Sequence, residues 1–282
     1  MPENLYQAVW IFLVYAFLGW CSEVAYAAVH KGKFVNRGFL NGPVCPIYGV
    51  GMLIVVTFLW GLRSNLIFLF LGSAGLTTTL EFVTGWVLEK FFQDKWWDYS
   101  DKPFNVKGYI CLEFTILWGL AAAFIVGAVH PFVFVLIKKT PFVLGIILMS
   151  VFLAVFVTDL VITVVALAKL PKKLNAMLEA EKALKALSDK IGENISETAI
   201  NAKAKGDELV EESKPKLEEL KAEYEKKAAE YKRQFESRGF VHKRIFKAFP
   251  NLKNGRYKAV FERFAEKKAD FKEKLKNEKD GV

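Results

Sequence analysis

The sequence predicts an all-α polytopic membrane protein, with about five transmembrane helices followed by a long cytoplasmic helical tail. Three observations carry that expectation. The chain of 282 residues is 53% hydrophobic, with 25 Phe, although 24% of its residues are charged. The charge is segregated: residues 1–168 hold ten of the 39 Lys and Arg and nine of the 30 Asp and Glu, and residues 169–282 hold the other 29 and 21. Five apolar runs fill the first part: Leu5–Val29, Val44–Leu62, Leu66–Leu88, Tyr109–Val129 and Phe142–Ala168. Each approaches or exceeds the ~20 residues a helix needs to cross a ~30 Å hydrocarbon layer. They lack the polar face of a soluble core helix. The domain reading is therefore 1–168 transmembrane, 169–237 cytoplasmic amphipathic or coiled-coil-like helices, and 238–282 a basic amphipathic segment. Cys21, Cys45 and Cys111 all sit in apolar surroundings, which excludes a disulfide framework.

The first run is too long for a signal peptide and has no Lys or Arg before it, so it reads as a retained helix. Lys31, Lys33 and Arg37 follow the first run, Lys90, Lys95, Lys102 and Lys107 follow the third, and Lys169, Lys172 and Lys173 follow the fifth. The other side receives Arg63, Lys138 and Lys139. The positive-inside bias then places the N-terminus outside and the tail in the cytoplasm of a multi-pass cell-membrane protein.

A repeat lies within the apolar part. Gly19-Trp20-x-x-Glu23 recurs as Gly85-Trp86-x-x-Glu89, and Gly42-x-Val44-Cys45 recurs as Gly108-x-Ile110-Cys111 at the same offset. The pattern fits two parallel two-helix repeats. It also fits the plain abundance of Gly and Trp at membrane interfaces.

Candidate functional residues are the polar ones in apolar runs. Glu23, Glu81, Glu89, Glu113 and Asp159 lie in or near the hydrocarbon. A charge at the centre of a crossing costs about 2.5–3.5 kcal/mol on insertion scales, so it faces a cavity or a partner. Glu81 and Glu89 share a helix face with Gly85 between them. One reading is a cation- or proton-handling cavity. The other pairs Glu23 and Glu89 with Lys31, Arg37 or Lys90 at the headgroups. Glu81, Glu113 and Asp159 read as deeper.

The first connector is rich in Gly, Pro and Asn (Gly38, Gly42, Pro43, Pro46) and reads as a loop folding back on the membrane edge. In the third connector, Trp96, Trp97 and Tyr99 read as interfacial anchors that also pack, or as a lid over the cavity with Asp98 and Arg37 as a cross-repeat ion pair. No phosphate loop, nucleophile elbow or metal-ligand spacing is present, and His30, His130 and His242 are far apart. The chain is therefore expected to be neither an enzyme nor a holder of a cofactor or metal.

Asn36-Arg37-Gly38-Phe39-Leu40-x-Gly42-Pro43-x-Cys45-Pro46-Ile47-Tyr48-Gly49 resembles a hallmark of the ABC-transporter type IV, CmpB-like family of bacterial membrane proteins. Trp97-Asp98-Tyr99-Ser100-x-x-Pro103-Phe104-Asn105-x-x-Gly108-x-Ile110-Cys111-Leu112 resembles its second signature. His242-Lys-Arg-x-x-x-Ala248-Phe249-Pro250-Asn251 resembles the tails of its Firmicutes members. The resemblance implies fold and location more directly than activity.

Pro171 marks a break or a helix start. Leu184, Leu187, Ile191 and Ile195, then Leu217, Leu220, Tyr224, Ala228, Tyr231 and Phe235, form a narrow apolar seam, interrupted near Gly206 and Pro215. Residues 169–237 are charge-neutral, and the last 45 residues hold 14 basic against 6 acidic. There Tyr257, Phe261, Phe264, Phe271 and Leu275 make an aromatic stripe suited to an anionic lipid surface or a protein partner.

The expected function is a permease-like membrane subunit of a small-solute transporter, with any ATPase on a separate chain. Glu23, Glu81, Glu89 and Glu113 would line its cavity, Arg37 with Asp98 would gate the cytoplasmic mouth, and Asp159, Asn36, Cys45, Trp97, Tyr99 and Cys111 are further candidates for cavity or gate. The alternative is a non-transporting scaffold or lipid-interacting protein that recruits partners through its tail. Expected partners are the lipid bilayer, an ATPase subunit, an unidentified small solute and a second copy through the tail, rather than nucleic acid. A watery cavity lined by Glu81 and Glu113 would favour transport; carboxylates all paired internally would favour the scaffold.

Overall fold

A computed structural model of the chain describes residues 1–92, 94–205, 208–236, 240–253 and 262. The chain divides into two compact units, the first made of Met1–Ala168 and Phe240–Leu252, the second containing the intervening helices. The described residues are helical or irregular apart from one isolated bridge, Val106–Ile110. Helix α1 (Leu5–Lys31) starts at Asn4, whose side chain accepts from the Gln7 amide, and stops at Gly32, where φ of 61° ends the helical ladder. The irregular segment 32–45, loop A, leads into α2 (Pro46–Leu59), where Cys45 is the cap and Pro46 the first helical residue. A 3-10 turn, Trp60–Leu62, and Asn65, which accepts from the Phe68 amide, lead into α3 (Leu66–Phe92). Loop B (94–111) ends at Cys111, the cap of α4 (Leu112–Phe124). A π turn, Ile125–Val129, joins α4 to α5 (His130–Lys139). Pro131 removes an amide donor there, and the widened turn just before it absorbs the loss. Helix α6 (Phe142–Ala168) completes the apolar part.

Four stretches are long and apolar enough to span a bilayer: Leu5–His30, Leu66–Phe92, Leu112–Lys139 and the one opening at Phe142. The last has a mean hydropathy of 2.6 over its best window, only 11% of it buried within the protein. So much uncovered apolar surface is stable only in lipid, and the chain is a membrane protein. Two expectations need correcting. The fourth run does not stop at Val129; the helix continues to Lys139, so Lys138 and Lys139 form its last turn. The second run is shorter than a full crossing. Pro46–Leu62 gives roughly 27 Å at helical rise because Val44 and Cys45 belong to loop A.

The core of the first unit joins α1, α2, α3 and the α4–α5 helix through Ile11, Tyr15, Val55, Val56, Leu69, Val126 and Ile137. His130 is fully buried in it, not interfacial, and bonds the Tyr15 hydroxyl at 3.1 Å. Helix α6 runs parallel to α1, joined by the ring pairs Tyr6–Phe142, Trp10–Phe152 and Phe12–Phe156. The repeat positions recur as two helix–loop–helix hairpins, α1–α2 and α3–α4. The repeated glycines give room to aromatic rings: Gly19 lies against Tyr48, and Gly85 against Trp97 and Tyr109. Helix α9 (Phe240–Ala248) and the 3-10 turn Pro250–Lys253 follow the second unit in sequence, and α9 packs on α6. His242 bonds the Ala166 carbonyl at 2.8 Å.

In the second unit, α7 (Leu170–Lys205) and α8 (Glu208–Glu236) pack on each other. Pro171 is the second residue of α7, where its missing amide costs nothing. Leu184, Leu187 and Tyr231 are buried. Pro215 does not interrupt the seam; it lies inside α8. The side chain of Phe235 and the stripe Tyr257, Phe261, Phe264, Phe271 and Leu275 lie outside the described residues.

Candidate functional site

Loops A and B and α9 meet at one end of the first unit. Trp96 is their junction, with its ring 5.4 Å from Phe39, 5.5 Å from Phe92 and 4.8 Å from Phe249. At 4% exposure it packs within the protein.

Two membrane carboxylates approach each other at this end through an aromatic wall. Glu23 accepts from the Tyr48 hydroxyl at 2.7 Å and pairs with Arg37 at 3.0 Å. Glu81 accepts from the Tyr99 hydroxyl at 3.1 Å, and its second oxygen is buried without a well-aligned bond, with the Trp118 indole beside it. Tyr48 lies 5.8 Å from Trp118, Trp118 6.5 Å from Phe114, and Phe114 stacks 4.7 Å from Tyr99. Burial and the Glu81 charge hold the Tyr99 phenol well above its ordinary pKa, so it stays a donor to the carboxylate.

The remaining candidates serve other ends. Arg37 and Asp98 do not pair. Arg37 is taken by Glu23, while Asp98 binds Lys95 at 3.5 Å and the Ser100 hydroxyl at 2.6 Å. Glu113 is not deep. Its helix starts at Leu112, so it sits in the first turn, exposed, and bonds Lys102 at 2.8 Å. Glu89 lines an open cleft of about 260 Å³ with Trp86, Lys90 and Tyr109. Asn36 organises loop A: it accepts from Trp20 at 2.9 Å and from the Gly38 amide, and donates to the Asn41 carbonyl. Trp97 donates to the Tyr109 carbonyl at 2.9 Å. Cys45 and Cys111 are buried free thiols; burial, then the Glu23 charge, pushes the Cys45 thiol up to about 12.

Asp159 anchors loop A. It accepts from the Asn41 amide at 3.2 Å, the Asn41 side chain at 2.7 Å, the Gly42 amide at 2.7 Å and Thr163 at 3.2 Å. From α9, Arg244 donates to the Gly38 and Phe39 carbonyls at 2.6 Å each and to the Asn41 side-chain oxygen at 3.0 Å. Burial lowers the Arg244 pKa, opposed by the Asp159 charge. Asn41, Tyr48, Trp118 and Arg244 were not singled out from sequence. Asn41, Tyr48 and Arg244 nevertheless lie within the quoted motifs, which was their available signal. Among the described residues no cluster of three His, Cys, Asp or Glu side chains is placed to hold a metal.

No curated protein and no solved structure matches the chain. A family profile described as "Putative ABC-transporter type IV" matches residues 10–164, which take in loops A and B, both membrane carboxylates of the aromatic wall and Asp159. That is more than half of the sequence, and the chain belongs to this family of transporter-type membrane proteins, which is not an enzyme family.

Proposed function

We propose that this protein is the permease-like membrane subunit of a small-solute transporter, with any ATPase on a separate chain. The loop end faces the cytoplasm, where the basic connectors place it by the positive-inside bias. Counting Pro46–Leu62 as a shorter crossing gives five, with the N-terminus outside. The observation that carries the reading is the convergence of Glu23 and Glu81 on one aromatic wall, each held by a tyrosine hydroxyl. A carboxylate in lipid-depth surroundings needs a partner. Tyr99 comes from a loop, so displacing loop B frees the Glu81 carboxylate for a cationic or hydrogen-bond-donating solute. Loops A and B are then the cytoplasmic gate and the surface on which an ATPase acts.

The scaffold reading is favoured by the donors that Glu23, Glu113 and Asp159 find within the chain itself. Reconstitution into liposomes separates the two. Wild type, supplied with ATP and a co-purifying ATPase fraction, is expected to move at least one member of a solute panel. Glu81→Gln is expected to reduce that flux roughly tenfold, the equivalent of one charge-assisted contact. If no solute moves under any of these conditions, the permease reading fails and the scaffold stands.

A further inference from the structure

Loop A presents three neutral oxygens to one planar cation. Nη1 of Arg244 donates to the Gly38 carbonyl, Nη2 to the Phe39 carbonyl and Nε to the Asn41 Oδ1. Three different nitrogens meet three different acceptors, which is the fan of a guanidinium; an ammonium concentrates its donors at one point. Asn41 is the relay: its oxygen receives Arg244, while its Nδ2 donates to Asp159. The cation and the carboxylate are thus coupled through one amide, and Arg244, only 9% exposed, balances the Asp159 charge without touching it. The loop that builds this cage lies at 38–41, and its occupant comes from a helix 203 to 206 residues further along.

We propose that loop A is a guanidinium-binding site whose resident ligand is the chain's own Arg244, and that a guanidinium-bearing solute or peptide takes the same three oxygens when Arg244 leaves them. The inference does not depend on transport. The acceptors belong to backbone and amide groups fixed by other bonds. Asp159 holds Asn41 and Gly42, and Asn36 holds Gly38 and the Asn41 carbonyl. These bonds aim the acceptors from the membrane side, and Arg244 holds the loop closed on them. Removing Arg244 leaves the Asp159 charge uncompensated and three carbonyl dipoles aimed at one place, the condition for capturing an external cation of the same shape.

The test uses the full chain with Cys21→Ser and Cys111→Ser, leaving Cys45 as the only thiol. Cys45 is 5% exposed at the end of loop A, so its rate of maleimide labelling reports loop opening. Arg244→Ala is expected to raise that rate roughly tenfold or more, the equivalent of at least one lost charge-assisted hydrogen bond. Millimolar guanidinium or methylguanidinium is expected to slow labelling of the variant again. Ammonium, sodium and the neutral planar isostere urea are expected to leave it fast, and the parent with Arg244 intact is expected not to respond. The proposal is overturned if Arg244→Ala labels at the parent rate, if urea or ammonium protects as well as guanidinium, or if none of them protects. Should Arg244→Ala fail to fold, Arg244→Gln carries the same comparison, because it keeps an amide donor on a shorter stem while removing the charge.

Discussion

Loops A and B occupy matching places in the two hairpins, each leaving a long helix and each closing on a buried cysteine cap, yet they are held by opposite means. Loop B is largely its own scaffold. Asp98 takes the Ser100 amide and hydroxyl, Asn105 bridges the Ser100 and Lys102 carbonyls to the Gly108 amide, and the Tyr99 amide bonds the Gly108 carbonyl. Gly108, at φ 74°, supplies the left-handed turn that lets those groups meet. Loop A has one local organiser, Asn36, and is otherwise tied to distant helices through Asp159, Thr163 and Arg244. A loop closed by its own residues keeps its shape wherever its ends are placed. A loop closed by residues 117 to 206 positions away forms only once the whole unit has assembled. Loop A therefore reports on the state of α6 and α9 through its hydrogen bonds, whereas loop B meets the chain after α9 through the Trp96–Phe249 ring contact.

Asp159→Ala is the largest way to break this contrast. It orphans the amides of Asn41 and Gly42, while the Asn41 side chain keeps Thr163, for an expected loss of about 2–6 kcal/mol of stability at 1–3 kcal/mol for each unsatisfied group. Thermal unfolding in detergent measures the loss. Thiol labelling measures its location, with Cys45 exposed and Cys111 still protected. Equal release of both thiols would mean that the two loops stand and fall together. The converse substitution, Asp98→Ala, is expected to cost about 1 kcal/mol, since the groups it frees are partly exposed and reach water. Its labelling change should be confined to Cys111.

The apolar runs were readable because composition alone decides whether a helix can live in lipid, and the irregular connectors because Gly, Pro and Asn rule out a plain helix there. The matched cysteines turn out to be the caps of the second helix of each hairpin, a few residues inside the apolar runs. Partner choice was not readable. Arg37 has acids on both sides in sequence, and only the path of loop A brings it to Glu23 and away from Asp98. Glu113 was misplaced by three residues of helix start, the difference between Tyr109 and Leu112, which carries it from the spanning interior to an exposed first turn. Asp159 read as a cavity acid because a lone carboxylate in an apolar run looks unpartnered until the backbone amides of a remote loop are placed against it. Arg244 lay in a tail whose excess positive charge suggested a lipid surface, and its actual partners are carbonyls.

The smallest expected effect sharpens the comparison most, because it acts within loop B alone. Burial pulls the Asp98 carboxyl upward, but the Ser100 hydroxyl and amide and the Lys95 charge outweigh it, so its folded pKa lies below the ordinary carboxylate value. A depressed carboxylate contributes stability that is present above the unfolded pKa of about 3.9 and is lost as pH falls through the lower folded value. At 40% side-chain exposure the contribution is screened and modest. Amide hydrogen exchange, referenced to the intrinsic rate at each pH, should therefore show protection at Ser100 declining as pH drops below about 4. Gly108 is the internal control: its amide is held by the Asn105 side chain, which does not titrate, so its protection should persist over the same range. Asp98→Asn should flatten the Ser100 profile while leaving Gly108 unchanged. If Gly108 opens in step with Ser100, loop B is one cooperative unit hung on Asp98. If neither amide responds, the carboxylate is not what closes the loop, and the self-scaffolding of loop B rests on Asn105 and the Gly108 turn.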